Sequence, residues 1–286
     1  MTRVLCAGHV NWDVTLRVDS LPAPDGEAAI TGQTHAGGGS ASNTAVTMES
    51  LGVDSALLGS VGEDDYGRLA REELTAAGVD CSHLQRTIGE TTVKYLVVDD
   101  RGEVMVLAND GVNESFRAAD APDSLLDSVD HVHLTSQRLE TAEMLAERAR
   151  DAGATVSFAP GRRLDERDYR SVAATADYLF LNEREAETAA EEGLLAAGDG
   201  VTVITRGEDG GEVRASSRRT HSGYDVEPVD TTGAGDAFAA GFLAAVLNGE
   251  DDDDALAVAN AAGALAAKSI GARTHVSWAD IEDLRE

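Results

Sequence analysis

The chain has 286 residues, of which 42% are hydrophobic and 4% aromatic, so it can bury a full core built mainly on Val, Leu, Ile and Ala. Its 23 basic and 52 acidic residues give a formal net charge of −29, which argues against nucleic acid and anionic membranes as partners. Only Lys94 and Lys268 are lysines, and strong acidity with so little lysine predicts a halophilic protein, because salt screens its self-repulsion.

The two cysteines, Cys6 and Cys81, lie far apart and fit no metal-ligand spacing, which indicates a reducing compartment. The first residues run directly into a strand pattern, with no charged leader followed by a long apolar run. No stretch is long and apolar enough to suggest a membrane span. We therefore expect a cytoplasmic protein without a membrane partner.

In chain order, the first third of the sequence mixes strands and helices. Strand patterns without helices between them occur at about 14–33 and 91–107, and we predict that they form a small sheet that projects as a lid. The glycine run at 37–39 is predicted to open a helix. The other elements predicted here are strands at 3–8 and 55–61 and helices at 41–51 and 65–77.

From about residue 120, strands and helices alternate regularly, which is typical of a parallel sheet with helices on both faces. The predicted strands are 129–134, 155–159, 178–181 and 201–205, and the predicted helices are 141–152, 171–175, 183–193, 236–249, 254–270 and one from residue 278. A polar hairpin is predicted at 211–224. We expect one α/β domain over residues 1–286 that carries the lid.

The stretch from Asp230 to Asp236 has the pattern of a strand end, a tight glycine turn and a helix start. Gly233 and Gly235 allow positive φ and the close approach of an anion, and the first helical turn offers free N–H groups. Asp236 adds a carboxylate, and a base beside an anion cradle suits phosphoryl transfer to a hydroxyl. An ordinary glycine turn with an acidic cap explains this motif alone about equally well.

Several common phosphate-binding motifs are missing from the sequence. Neither lysine follows a glycine loop, which excludes a P-loop NTPase and a protein kinase. No G-x-G-x-x-G follows the first strand, as a dinucleotide-binding fold would require. A phosphotransferase with this sequence would have to neutralise phosphate charge with backbone amides and a metal.

Polar residues follow other predicted strands and loops. Asn11 and Asp13 follow the first strand, and Asn43 follows the first glycine loop, where its amide suits a polyhydroxylated ligand. An Asx turn and a helix cap are the structural alternatives. Asn182 and Glu185 are three residues apart, which suits oxygen ligands of Mg²⁺ but also a capping box.

Taken together, these stretches resemble the ribokinase-like (PfkB) carbohydrate kinase family, in order along nearly the whole chain. The matching motifs are G-x-x-N-x-D at 8–13, a first signature at 37–52, G-x-x-G-x-D-x-x-G at 59–67, N-x-x-E at 182–185, T-x-G at 205–207 and D-T-x-G-A-G-D at 230–236. The resemblance implies a ribokinase-like three-layer α/β sandwich with a mostly parallel central sheet. It also implies a small β-sheet lid through which such proteins often form homodimers.

The resemblance further implies roles for individual residues. Asp236 would be the general base, and the amides of Gly233, Ala234 and Gly235 would hold the transferring phosphoryl group. The hydroxyls of the substrate would be held by Asn11, Asp13, Gly38, Gly39 and Asn43. The ATP site would be formed by Asn182, Thr205, Gly207, Gly210 and Asn260. Metal binding would involve Asn182 and Glu185 for Mg²⁺, through water, and Asp230 and Thr232 for a monovalent cation, which leaves activation by K⁺ open.

Two departures from the family pattern leave the sugar open. Residues 134–137 carry no charge where some sugar kinases of the family bind the sugar through a carboxylate, and residues 157–162 lack an Asp or Asn before Arg162. We expect an ATP-dependent kinase for the primary hydroxyl of a small sugar of the ribose, fructose or keto-deoxy sugar acid type. A nucleoside kinase of the same fold is the alternative. A non-catalytic sugar or nucleotide sensor is the third hypothesis, and the presence of Asp236 and both glycine loops argues against it.

Overall fold

The computed structural model describes residues 2–101, 103–269 and 271–286. Within these ranges the strands are β1 (Arg3–Ala7), β2 (Asn11–Val18), β3 (Ile30–Gly38), β4 (Asp54–Gly62), β5 (Leu84–Thr87), β6 (Val93–Asp99), β7 (Val104–Ala108), β8 (His131–Thr135), β9 (Thr155–Ala159), β10 (Tyr178–Asn182), β11 (Val201–Thr205), β12 (Gly211–Arg214) and β13 (Arg218–His221). The α-helices are α1 (Ser40–Ser50), α2 (Asp65–Ala76), α3 (Asp123–Leu126), α4 (Leu139–Asp151), α5 (Arg170–Thr175), α6 (Glu183–Glu191), α7 (Ala234–Leu247), α8 (Asp252–Ala267) and α9 (Trp278–Arg285).

A nine-stranded sheet forms the centre of the molecule, in the order β13-β12-β11-β10-β9-β8-β1-β4-β5. All neighbours from β11 to β5 run parallel, and β12 and β13 add an antiparallel edge. Alternate residues of a strand point to opposite faces, so Val4 and Cys6 enter one core and Leu5 and Ala7 the other. The first core includes residues of α1, α2, α7, α8 and α9, and the second includes residues of α3 to α6. This is the predicted α/β architecture, with helices on both faces of a mostly parallel sheet.

The central strand β1 lies between β4 and β8, both parallel to it. The chain therefore builds the sheet outward from β1 in both directions, which makes this position a topological switch point. Ligands of open α/β sheets bind at the carboxyl ends of the strands at such a point. A ligand site is therefore expected among the residues that follow β1 and β8.

A second sheet of four strands, in the order β3-β2-β6-β7, lies where the lid was expected. Its strands differ in length from the prediction, because β2 begins at Asn11 and β3 continues to Gly38. Asn11 pairs with Gly38 at the end of the ladder. The small sheet therefore runs directly into the first glycine loop and carries two predicted site residues on its last rung.

Other differences from the sequence prediction are local. The strand β5 was not predicted, because its sequence LQRT lacks an apolar alternation. Helix α7 begins at Ala234, because Gly233 adopts φ +79° as its N-cap. Helix α8 begins at Asp252 after the capping Asp251, and its predicted end, Ile270, lies outside the described residues. Within those residues no helix combines the length and apolar character needed to cross a bilayer.

Candidate active site

A cavity of about 1100 Å³ lies between the carboxyl edge of the central sheet and the small sheet. Residues after β1, β8, β9 and β10 line one side, and residues of β6 and β7 line the other. Both glycine loops also contribute to its wall. The lining includes the predicted residues Asn11, Asp13, Gly39, Asn43, Asn182, Glu185, Thr205, Thr232, Gly233, Gly235 and Asp236.

Asp236 is half-buried in the first turn of α7, where it lines the cavity. Its Oδ2 accepts a hydrogen bond of 2.8 Å from Nδ2 of Asn43. Burial raises the pKa of Asp236, and the Asn43 hydrogen bond and the positive charge of Lys94 partly oppose this shift. A carboxyl group with a raised pKa at the wall of a cavity is a candidate for proton transfer.

The glycine turn before α7 has the geometry of a helix N-terminus that is open to a ligand. A side chain at Gly233 would place its Cβ 2.3 Å from the carbonyl oxygen of Ala272, so only glycine fits. Apart from its chain neighbours and its own helix backbone, no atom of the described residues lies within 4 Å of a Cβ at Gly235, which leaves the space in front of this backbone free. The N–H of Ala234 donates to the carbonyl of Thr231 at 3.2 Å, so this amide already has an acceptor.

The predicted substrate-binding side chains are buried at the cavity wall. Asn11, Asp13 and Asn43 are 1%, 8% and 4% exposed. Among the described residues, the Oδ1 atoms of Asp13 and Asn43 have no hydrogen-bond partner. A buried polar atom without a partner costs about 1–3 kcal/mol. A polyhydroxylated ligand would remove this cost by donating hydroxyl protons to these oxygens.

The first glycine loop is shaped by close contacts with its neighbours. A Cβ at Gly38 would lie 2.2 Å from Oδ2 of Asp13, so this glycine makes room for the Asp13 carboxylate, although Gly38 does not itself line the cavity. Gly39 has φ +102°, and a Cβ there would lie 2.4 Å from the carbonyl oxygen of His9. The loop therefore packs on the segment that follows β1.

Residues 271–273 connect the two glycine loops. Ala272 contacts Gly233 of the second loop. The buried Arg273 donates to the carbonyl of Gly38 at 3.3 Å and to Oγ of Ser42 at 3.0 Å. Burial lowers the pKa of the Arg273 guanidinium, and nearby carboxylates oppose this effect. No sequence motif indicated this bridge, because the hydrogen-bond partners of Arg273 lie more than 230 residues away along the chain.

Asn182 and Glu185 form the capping box of α6. The Glu185 N–H donates to Oδ1 of Asn182 at 2.9 Å, and the Asn182 N–H donates to Oε2 of Glu185 at 3.0 Å. Burial raises the pKa of Glu185, and the hydrogen bonds with Asn182 partly oppose this shift. Within the described residues no group of three or more His, Cys, Asp or Glu could hold a metal. Each of the two side chains thus uses one oxygen to cap the helix, as the structural alternative for this spacing predicted.

Not all of the residues that were predicted to bind the nucleotide line the cavity. Thr205, at the end of β11, lines the cavity. Gly207 and Gly210 have positive φ in the turn between β11 and β12 and are not part of the lining. Asn260 is buried within α8, where its Nδ2 donates to the carbonyl of Leu256 at 2.7 Å, and it does not line the cavity either.

Asp230 fixes the turn before α7. Its Oδ1 accepts from the N–H of Thr232 at 2.9 Å, and its Oδ2 accepts from the N–H of Gly271 at 3.0 Å. Asp230, Thr232 and Asp13 contribute to a second, smaller cavity of about 120 Å³. Both carboxylate oxygens of Asp230 thus hold backbone in the structure.

Basic residues that were not predicted as site residues also line the main cavity. They are Lys94, Arg138, Arg162, Arg163 and Arg167, five of the 23 basic residues in the chain. Such a share is unexpected in a protein with a net charge of −29. Three of the arginines, Arg162, Arg163 and Arg167, lie within eight residues after the end of β9, a clustering that the sequence itself could have revealed. The basic side chains offer partners to an anionic ligand. The same cavity is also lined by six acidic residues, which bring its formal charge close to neutral: Asp13, Asp110, Glu114, Glu166, Glu185 and Asp236.

His9, Glu114, Arg163 and Arg167 form a group that we call the Glu114 cluster. Arg167 donates to both oxygens of Glu114 at 3.0 and 2.9 Å, and Nε2 of His9 lies 3.1 Å from Oε1. Burial acts to raise the pKa of Glu114, but hydrogen bonds from His9 and Arg167 outweigh it and lower that pKa to about 2. The adjacent Asn113 accepts from the N–H of Val10. No sequence spacing pointed to this cluster.

Comparisons with known proteins agree with this geometry. A model described as "pfkB family carbohydrate kinase" matches residues 1–279. The chain is 52% identical over 280 residues to an ATP-dependent ribose-1-phosphate kinase of Halopiger xanaduensis, covering 96% of this chain and 95% of the relative. It is 28% identical over 283 residues to a nucleoside kinase of Methanothermobacter thermautotrophicus, covering 96% and 92%.

The fold also has solved counterparts. The structure of a ribokinase from Thermotoga maritima superposes with a TM-score of 0.89 over 100% of this chain and 99% of that one, at 23% identity. This likeness confirms the predicted ribokinase-like fold. The chain belongs to the pfkB family of carbohydrate kinases and is an ATP-dependent kinase with an alcohol group as acceptor.

Proposed function

We propose that this kinase transfers the γ-phosphoryl group of ATP to the primary hydroxyl of ribose 1-phosphate, which yields ribose 1,5-bisphosphate. The observation that carries the proposal is the set of basic side chains at the cavity wall of a strongly acidic protein. A phosphorylated acceptor offers these side chains a partner that an uncharged sugar lacks, and the phosphates of ATP, which shares the cavity, offer another. The 52% identity to a ribose-1-phosphate kinase supports the same acceptor.

In the proposed reaction, Asp236 accepts the proton of the primary hydroxyl as this oxygen bonds to the γ-phosphorus and the bond from that phosphorus to the departing ADP breaks. Asn43 holds the carboxylate through its 2.8 Å hydrogen bond. The backbone of Gly233, Ala234 and Gly235 faces the transferring phosphoryl group, and the dipole of α7 stabilises its charge. The Ala234 amide would have to exchange its bond to Thr231 for the phosphoryl oxygen.

The ring hydroxyls of the acceptor would bind the buried polar groups of the first glycine loop and the lid. Asn11 and Asp13 come from β2, and Asn43 comes from α1. Gly38 and Gly39 keep the backbone close to these side chains. The unpartnered Oδ1 atoms of Asp13 and Asn43 support this assignment, because each needs a donor.

ATP would bind at the opposite end of the cavity, near Asn182, Glu185 and Thr205. Mg²⁺ bound with the nucleotide would supply positive charge that neutralises its phosphates. Asn182 and Glu185 would position that ion through water. Gly207, Gly210 and Asn260 remain predicted contacts of the nucleotide. We also propose a cytoplasmic location, where ATP is available, in accord with the free and buried Cys6 and Cys81.

A monovalent cation near Asp230 and Thr232 is a further part of the proposal. Asp230 already holds the two loops that such an ion would join. We expect higher turnover in KCl than in NaCl at equal ionic strength. Equal turnover in the two salts would argue against a K⁺ site.

A homodimer through the lid is also proposed. The edge strand β7 exposes Val104, Met105, Val106 and Leu107 at 39–54%, and a second copy could cover these residues. The double substitution Met105→Glu and Leu107→Glu should produce monomers in light scattering after size exclusion. Met144→Glu, at a similarly exposed methionine of α4, should not change the mass. A monomeric wild type would contradict the proposal.

The acceptor is tested by ADP release from Mg-ATP with ribose 1-phosphate, ribose, fructose, 2-keto-3-deoxygluconate, adenosine, inosine and cytidine, in concentrated KCl. Ribose 1-phosphate should give the highest kcat/KM. A nucleoside kinase is the second candidate, because the chain is 28% identical to one over 96% of its length. Higher kcat/KM with a nucleoside would establish that alternative instead.

A further inference from the structure

The two arginines of the Glu114 cluster differ in how firmly they are held. Arg167 makes the bidentate contact with Glu114 and also donates to the carbonyl of Gln137 at 2.6 Å. The guanidinium of Arg167 therefore already has its hydrogen-bond acceptors within the protein. Arg167 and Glu114 together form a rigid, nearly neutral part of the cavity wall.

Arg163 has much looser partners. Its Nη1 donates to Glu166 at 3.0 Å and its Nη2 to Asp110 at 3.5 Å, and both carboxylates are largely exposed, at 61% and 96%. Its Nε lies 3.8 Å from Oε1 of Glu114, beyond hydrogen-bond distance. Exposed ion pairs contribute little, because water competes for both partners. Arg163 can therefore exchange them for a ligand at low cost.

A chain of contacts relates this arginine to Asp236. Asp236 binds Asn43, and the Asn43 N–H donates to the carbonyl of Gly39 at 2.8 Å. Gly39 packs against the carbonyl of His9, and the His9 ring contacts Glu114. The Glu114 cluster thus lies across the first glycine loop from Asp236. Because Asp236 and the cluster line the same cavity, one acceptor with its primary hydroxyl at Asp236 is proposed to place its other end at the cluster.

We propose that Arg163 binds the phosphate group that the acceptor already carries, and that the Glu114–Arg167 pair supports it as a fixed wall. A phosphate dianion offers three acceptor oxygens to a guanidinium fork, a stronger partner than the exposed carboxylates that it would replace. The inference rests on the proposed function and deepens it, because it names the residue that selects a phosphorylated sugar over a free one.

Arg163→Met tests this inference, because methionine keeps the apolar stem and removes the guanidinium. We expect kcat/KM for ribose 1-phosphate to fall about 10–100-fold, as the loss of a charge-assisted hydrogen bond implies. The KM for ATP should stay within about twofold, which a general distortion of the cavity would not allow. Arg163→Lys keeps a positive charge and should therefore retain part of the kcat/KM that Arg163→Met loses. If Arg163 acted only through packing, the two variants would lose the same amount.

Arg170→Met is the matched control, because Arg170 pairs with Asp168 on the exposed side of α5 and does not line the cavity. It should leave every kinetic constant within about twofold. If the wild type uses ribose 1-phosphate and Arg163→Met does so equally well, the inference is wrong and the proposed function stands. If the wild type uses only acceptors without phosphate, the proposed function fails first and the inference fails with it.

Discussion

In the proposed reaction the carboxylate of Asp236 must be ionised, yet burial favours its protonated form. Asp236→Asn keeps an oxygen that can accept from Asn43 but cannot take a proton. We expect kcat to fall by about 10²–10⁴-fold, the usual contribution of a general base. Turnover close to that of the wild type would remove Asp236 from this role.

The same substitution should raise the melting temperature at neutral pH. A folded-state pKa above the unfolded value means that the folded protein binds this proton more tightly. The stability that this group contributes is therefore greatest at low pH and is lost as pH rises through its raised pKa. Asparagine cannot ionise, so the variant avoids this loss. Differential scanning calorimetry at pH 7 measures the effect, and a lower melting temperature would contradict the assigned pKa shift.

Lys94 acts on the same carboxyl group through its charge, which lowers the pKa of Asp236. Lys94→Met should raise that pKa further. Because the base must be ionised, the acid limb of the pH profile of kcat/KM should move to higher pH. Lys268→Met changes the other lysine, which is exposed and outside the cavity lining, and should leave the limb in place. If the acid limb of the pH profile did not move in Lys94→Met, Lys94 would not influence the pKa of Asp236.

At the scale of elements, the first glycine loop, the small sheet and residues 271–273 form one unit around the acceptor end of the cavity. Gly38→Ala tests this unit, because its Cβ would lie 2.2 Å from Oδ2 of Asp13 and would displace that carboxylate. We expect the KM of the acceptor to rise at least about tenfold, the effect of losing a charged hydrogen bond, with little change in the KM of ATP.

Gly32→Ala provides the matched control for this loop. Gly32 lies in β3 of the same sheet, and its Cβ would meet only side-chain atoms of Arg17 at 3.7 Å, an ordinary contact. Its kinetic constants should equal those of the wild type. An equal effect of both substitutions would mean that the sheet as a whole, and not the contact of Gly38 with Asp13, determines acceptor binding.

The sequence predicted those elements whose signals are local. The turn at Gly233 and Gly235 is specified by consecutive residues, and the alternation of strands and helices after residue 120 is continuous. The Glu114 cluster could not be predicted in this way, because His9, Glu114 and Arg167 come from three distant segments that only the folded sheet brings together. Asn260 differs again: the family resemblance implied a nucleotide contact, its Nδ2 donates to the carbonyl of Leu256 within α8, and the contact stays a prediction.

At the scale of the whole molecule, the net charge of −29 opposes compaction at low salt. Most ion pairs have an exposed partner, and such pairs contribute about 0–1 kcal/mol each. Salt at about 1 M shortens the screening length to about 3 Å. We therefore expect the melting temperature to rise steadily from 0.1 to 2 M KCl. A neutral osmolyte at equal osmolality should raise it less, and a flat or falling curve in KCl would contradict the predicted halophilic character.

One competition experiment tests the proposed acceptor most directly. Limiting Mg-ATP is added to an equimolar mixture of ribose 1-phosphate, ribose and inosine in concentrated KCl, and the products are identified by mass spectrometry. The proposed anion-binding cavity predicts ribose bisphosphate as the dominant product, in wild type but much less in Arg163→Met. Ribose monophosphate newly formed from free ribose, or inosine monophosphate, as the dominant product of the wild type would contradict a phosphorylated acceptor.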